Sequence, residues 1–256
     1  MTPLETPLLL ACVAAGLAGF VDAVAGGGGL IQLPALLLLM PGVPVPMVLG
    51  TNKGSAIFGT AVATIRYART VPVPWRTVGA AAAAAFVGSW FGARASSLLN
   101  PAMMRPLVLA LLVGVAIFTF AKKDFGASGV GRERAVLGVL LGGVIGFYDG
   151  FFGPGTGTFL IFLFIWSLGL DFLGASAAAK AVNVATNLAA LGSFALAGNV
   201  RWGWALPMGA ANILGALMGA NLAIAKGSAV VRRFFQGVII LLLARLTWDW
   251  VRGGGG

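Results

Sequence analysis

Histidine is absent from this 256-residue chain. That removes the side chain that titrates near neutral pH and the commonest nitrogen ligand for zinc, and it weighs against a hydrolytic or metal-dependent enzyme. Neither a metal nor a cofactor is expected. A single cysteine, Cys12, excludes an internal disulfide, and its place within the first apolar run reads as packing. Charge is scarce as well: Asp and Glu number 7, Lys and Arg 17, together 9% of residues. The only sizeable polar stretch is KKDFGASGVGRER, Lys122 to Arg134, so there is no room for a soluble domain.

What fills the chain is apolar. Hydrophobic residues make up 59% and the mean hydropathy is +0.97, the composition of an integral membrane protein. Apolar stretches long enough to span recur from end to end, which predicts an all-α membrane protein rather than a barrel. The net charge of +10 is then a topology signal and not a nucleic-acid footprint. Glu5 and the lack of Lys or Arg before the first apolar run argue against a secretory signal peptide, so the first helix is expected to stay.

Displacing the sequence by 127 positions superimposes its unusual residues. Gly19, Phe20 and Asp22 fall on Gly146, Phe147 and Asp149, Lys53 on Lys180, Trp75 on Trp202, and Gly88 and Gly92 on Gly215 and Gly219. Glycine matches are cheap here; an Asp, a Lys and a Trp at one ungapped offset are not. The expected organisation is a single transmembrane domain over 1–256, with repeat 1 about 1–121, a cytoplasmic linker about 122–134, and repeat 2 about 135–256.

Apolar segments run from Pro7 to Met40, Pro46 to Ile65, Val73 to Leu99 and Met103 to Ala121, then from Ala135 to Leu168, Leu173 to Ala197, Trp202 to Ala225 and Val230 to Val251. The first of each set is too long for one simple span and is interrupted by glycines, at Gly26 to Gly29 and at Gly153 to Gly157. A broken or re-entrant helix is expected in each half. Counting it as one pass gives four elements per half and parallel repeats; counting it as two gives five and inverted repeats. Five elements put ten basic residues, among them Arg66, Arg69, Arg76 and Lys226, on one side against Arg94, Arg105, Arg201 and Arg252. Four elements move Arg201 and Arg252 beside Arg66 and the Lys226 cluster across, giving nine against five. Positive-inside bias favours inversion. Trp75, Trp202, Trp204, Trp248 and Trp250 stand at segment ends, as interfacial anchors do.

Deep within these segments only a few side chains can ionise, Asp22, Asp149, Lys53 and Lys180, and near the last helix end Arg245 stands one turn from Asp249 and is expected to pair with it. Each of the first four costs about 2.5–3.5 kcal/mol at mid-helix on insertion scales, so pairing, hydration or function must offset on the order of 10 kcal/mol. Lys53 and Lys180 are read as two cations facing a central cavity and holding an anion, the alternative being that each pairs with an Asp and closes the fold. Thr51 and Asn52 beside Lys53, and Asn183 and Asn187 on the face of Lys180, suit an oxygen-rich guest. Interrupted helices add free N–H groups at Gly28, Gly29 and Gly155 and side-chain donors at Gln32, Thr156 and Thr158, at a positive helix end. Asp22 and Asp149, four residues before the breaks, either brace the broken backbone or carry a coupling proton. The glycine runs lack the strand and Gly-Lys-Ser/Thr of a nucleotide loop. Tyr148-Asp149 is half of an intramembrane aspartyl protease signature whose Gly-x-Gly-Asp half is missing.

The motifs GFVDAVAGGGGLIQLPALL from Gly19, LGTNK from Leu49 to Lys53, GFYDGFFGPGTGTF from Gly146 to Phe159 and ASAAAKAVNVATNLAAL from Ala175 to Leu191 resemble those of the sulfite exporter TauE/SafE family, over essentially the whole chain. The resemblance implies plasma-membrane export, or in some members uptake, of sulfite, sulfoacetate or related anions, with the proton gradient as a candidate driving force; substrates vary within the family. With the residue argument it leads to a proton-coupled alternating-access exporter of a small anion in the lipid bilayer. The alternatives are a passive anion channel, or a carrier of a neutral or cationic solute whose lysines are structurally paired. The sequence leaves the oligomeric state open.

Overall fold

The structure, a computed structural model, describes residues 5–96 and 134–253, without the side chains of 5, 135, 242, 243 and 245–253. The segment Met103 to Ala121, Arg105, most of the Lys122–Arg134 linker, and the side chains of Arg245, Trp248, Asp249, Trp250 and Arg252 lie outside the described residues. Among those described there are nine α-helices and no strand: α1 Glu5–Ala25, α2 Gly29–Leu39, α3 Val45–Ala68, α4 Trp75–Ala95, α5 Ala135–Phe151, α6 Thr156–Leu168, α7 Phe172–Leu196, α8 Trp202–Lys226 and α9 Ser228–Gly253. Adding 127 to the start of α2, α3 or α4 gives the start of α6, α7 or α8.

Two of these helices, α1 from Thr6 and α8, are by themselves long and apolar enough to cross a membrane, and α6 and α7 together pass the same measure across a 120° bend. The helix α3 falls outside that group because its buried face is polar, carrying Thr51, Asn52, Lys53, Ser55 and Thr60. Leu10, Val13 and Leu17 on α1 form an exposed apolar stripe, and Leu137, Leu140 and Val144, their counterparts at the same offset, form another on α5. Such stripes suit contact with lipid tails.

The long first segment of each half is interrupted where glycine takes a left-handed turn, at Gly26 and Gly27 (φ 75° and 88°) and at Gly153 and Gly155 (φ 96° and 85°). An L side chain is disfavoured at each of these angles, so the glycine string is a backbone requirement here. Breaking a helix inside an apolar body orphans the carbonyls of its last turn. At the end of α1 two are taken up from other helices: the Tyr67 hydroxyl donates to Ala23 O (2.7 Å) and the Ser176 hydroxyl to Val24 O (3.1 Å). After α5, the Tyr148 hydroxyl donates to Pro154 O. Further on, Asp171 caps α7 by accepting from Gly174 N (2.7 Å), and its other oxygen accepts from the Ser228 hydroxyl at the start of α9 (2.7 Å).

The halves interlock. The first helix of each packs most extensively on the fourth of the other, α1 with α8 and α4 with α5. Gly88 and Gly92 back onto the backbone at Gly143 and Phe147, while Gly215 and Gly219 back onto Gly16 and Phe20, the same positions displaced by 127. No Cβ fits at Gly92 or Gly215, where a carbonyl oxygen occupies its place. Small residues four apart thus let two helices touch along their main chains.

Between the halves lies a second set of contacts. The equivalent helices α3 and α7 run antiparallel: Gly50 backs onto Phe194, Gly54 onto Leu191, and Asn187 donates to the Thr60 hydroxyl at 3.2 Å. By contrast α3 and α8 run in the same direction. Arg201 N donates to the Thr51 hydroxyl at their beginnings (3.0 Å), and the Arg66 guanidinium donates to Asn221 Oδ1 near their ends (2.9 and 2.6 Å). Cys12 packs among Leu33, Leu36 and Met208, as expected of a packing residue.

Candidate solute site at the two helix breaks

Where the breaks meet α3, α7 and α8 there is a cavity of about 50 Å³, room for a few waters or one small polyatomic ion. Both interrupted segments open on it: Gly27, Gly28 and Gly29 from one, Gly153, Gly155, Thr156 and Gly157 from the other. The N-terminal ends of α2 and α6 therefore border the same space, with Gly28 N bonded to Asp22 and Leu30 N and Thr156 N bonded to Gly27 O and Gly153 O; a helix N-terminus carries a partial positive charge. The breaks also touch each other, since a Cβ on Gly26 would collide with the backbone of Gly157 and Thr158.

Lys53, Lys180, Asp149 and the partly buried Asp22 form two ion pairs, each joining the lysine of one half to the aspartate of the other. Lys53 Nζ lies 2.7 Å from Asp149 Oδ2, and Lys180 Nζ lies 2.6 Å from Asp22 Oδ2. Their surroundings differ. Lys53 and Asp149 both line the cavity; Asp22 lines it too, but Lys180 is fully buried and does not. Lys180 donates its hydrogen bond to Asp22, whose second oxygen accepts from Gly28 N (3.4 Å), bracing the first break. Lys53 donates instead to Asn187 Oδ1 (3.1 Å), and its contact with Asp149 Oδ2, though close, lacks hydrogen-bond geometry, so that oxygen has no donor. Gly153 packs close to the ammonium, since a Cβ there would stand 3.3 Å from Lys53 Nζ.

Amides complete the wall. Asn212 Nδ2 donates to Ala15 O (2.9 Å) and to Gln32 Oε1 (3.1 Å), and Gln32 Nε2 donates to Asn52 O (3.4 Å). Asn52 Oδ1 and Asn183 Oδ1 are buried without a donor. An amide turned half a rotation puts its NH2 where its oxygen stood, so either side chain can offer a donor or an acceptor there.

The profile of the sulfite exporter TauE/SafE family matches residues 11–246. The chain belongs to that family. It is 36% identical to a probable membrane transporter protein, ORF9, of a Sinorhizobium species, over 93% of this chain and 91% of the relative. It is 34% identical to the probable membrane transporter protein YfcA of Escherichia coli K12 over 95% and 91%, and to a probable membrane transporter protein of Haemophilus influenzae over 91% of both. No solved structure matches it. As a TauE/SafE protein it is a multi-pass membrane protein of a transporter family and not an enzyme.

Of the residues that the sequence of this TauE/SafE member singles out, Lys53, Asn52, Asn183, Asn187, Gly28, Gly29, Gln32, Gly155 and Thr156 line the cavity, as do Asp22 and Asp149. Three do not. Thr51 spends its hydroxyl on Met47 O and Arg201 N, Thr158 is buried with its hydroxyl unpartnered, and Lys180 is closed off by Asp22. Sequence reasoning passed over Thr60 and Asn212, which also face the cavity. Thr60 could have been found as the counterpart of Asn187 at the repeat offset, and Asn212 as a lone amide within an apolar helix.

Proposed function

We propose that this protein is a secondary transporter that exports a small anion, such as sulfite or an organosulfonate, across the cell membrane by proton-coupled alternating access. In this reading one transport domain consists of two inverted repeats, about 1–121 and 135–256, joined by a cytoplasmic linker, and each repeat carries a helix broken within the membrane. The antiparallel course of the equivalent helices α3 and α7 and the common direction of α3 and α8 support inversion, since parallel repeats would align the first pair and oppose the second.

The observation that carries the anion reading is Lys53 on a small cavity bordered by two helix N-termini. A cation and two sets of N–H dipoles on one space attract an oxyanion, and Asn52, Asn183 and Asn187 supply adaptable polar contacts to orient it. Thr156 and Gln32 shape the wall, and Lys180 acts on the solute through Asp22.

The test is flux of sulfite in proteoliposomes. Lys53→Gln abolishes it in protein that still runs as a folded species, and unchanged flux removes Lys53 from the site. Two closed ion pairs favour a second reading, a neutral solute accepted by the amides; sulfite that fails to compete with such a solute supports it.

A further inference from the structure

The two ion pairs are equivalent by sequence and unequal by surroundings. Lys180 is fully buried, and among the described residues its single polar partner is Asp22, both of whose oxygens are hydrogen-bonded. Opening that pair would strand an ammonium in a dry interior, which is strongly unfavourable. Lys53 lines the cavity and keeps Asn187 Oδ1 if Asp149 lets go, while Asp149 also lines it and its buried Oδ2 has no hydrogen bond to lose. One pair is locked and the other is exchangeable.

We infer that Lys53 and Asp149 form the single proton–anion exchange site of the transporter, where a small strong-acid anion replaces Asp149 on Lys53 and a proton replaces Lys53 on Asp149. This deepens the transport reading and rests on it. The two pairs sum to zero charge, so an anion entering alone would leave a net negative charge in a nearly dry space. One proton from the same aqueous side restores the balance. It leaves with the anion on the far side, when Lys53 and Asp149 close again, so in export the anion runs down its own gradient and carries the proton out with it. For a monoanion the cycle moves no net charge; for a dianion it moves one negative charge.

The groups facing Asp149 fit this assignment. From α3 comes Lys53, and from α1 comes Asp22, held by Lys180 of α7 and by Gly28 N. On α5 itself Tyr148 has its hydroxyl committed to Pro154 O, α4 brings Arg94 with its guanidinium over Trp90, and α6 brings no ionisable residue. None of these competes for the proton.

Methanesulfonate, which carries no proton of its own near neutral pH, is the probe. Its binding to the purified full chain, followed by calorimetry between about pH 5 and pH 9, weakens by up to tenfold per pH unit on the alkaline side, because the competent form is the one with Asp149 protonated. About one proton is taken up per anion bound in weakly buffered solution. In proteoliposomes a pH gradient drives methanesulfonate accumulation, and an imposed potassium–valinomycin potential does not. Asp149→Asn flattens the pH slope and abolishes proton uptake; Asp171→Asn, a change at the α7 cap away from the cavity, keeps both. Wild-type binding with no pH slope and no proton uptake overturns the exchange while leaving anion transport intact, and that readout needs no variant. A slope that survives Asp149→Asn overturns the choice of pair. Failure of methanesulfonate, thiosulfate and sulfite all to bind at any pH overturns the transport reading and the exchange with it.

Discussion

Lys180 is a charge with nowhere else to go. It is fully buried and held by Asp22 across the half-to-half boundary at 2.6 Å, so removing either partner leaves the other uncompensated. Losing one member of a buried pair costs about 3–5 kcal/mol, whereas replacing both by apolar residues is often neutral or stabilising. Lys180→Met is therefore expected to lower the thermal unfolding midpoint in detergent sharply, and Lys180→Met with Asp22→Leu to recover much of the loss. Recovery would be incomplete, since Asp22 also accepts from Gly28 N at the first break. If the single replacement leaves the midpoint unchanged, the pair is not a brace. Lys53 carries the opposite expectation: its second partner, Asn187, and its access to the cavity moderate the stability cost of Asp149→Asn, so that lesion falls on transport rather than on folding.

At the scale of helices, close approach rather than side-chain interdigitation joins the halves. Carbonyl oxygens of Phe147 and Gly16 occupy the space a Cβ would take at Gly92 and Gly215, so α4 and α8 are forced outward by any larger residue. Gly92→Ala and Gly215→Ala are expected to destabilise by about 1–3 kcal/mol, and by similar amounts, because they sit at equivalent points of duplicated interfaces. Gly79 on α4 is exposed with nothing near its Cβ position, so Gly79→Ala serves as the control and gains about 0.5–1 kcal/mol. Thermal unfolding of the three variants checks the contrast; equal effects at Gly79 and Gly92 would dissolve it. Helix positions were largely legible in the sequence because the apolar runs are long and punctuated by glycine: α3, α7 and α8 begin within a residue of where the runs begin. The ion pairing was legible only as an alternative. Spacing along a chain puts Lys53 and Asp149 in different halves, and which lysine meets which aspartate is decided by how α1 and α5 dock on the opposite half. Likewise the sealing of Lys180 depends on packing around α7, which no local pattern encodes, and Thr51 is drawn away from the cavity by Arg201 N, 150 positions distant.

For the whole molecule, the direction of α8 relative to α3 decides how the basic residues distribute across the bilayer. Thr51 meets Arg201 at one end of this pair and Arg66 meets Asn221 at the other, so Arg69 and Lys226 belong to one end and Arg201 to the opposite one. A 25-residue helix such as α8 is about 37 Å long at 1.5 Å per residue, enough to separate its termini across the hydrocarbon core. Parallel repeats would instead put Arg69 with Arg201 and leave Lys226 across the membrane. In a Cys12→Ala background, Arg69→Cys and Lys226→Cys are each expected to react with a membrane-impermeant maleimide from one face of intact cells or inverted vesicles. Arg201→Cys reacts from the other. Since positive-inside bias assigns the richer basic side to the cytoplasm, the first two label in inverted vesicles and the third in intact cells. Labelling of Arg69→Cys together with Arg201→Cys would reject inversion, and with it the idea that the two half-helices meet in the middle of the membrane from opposite sides to form one solute site.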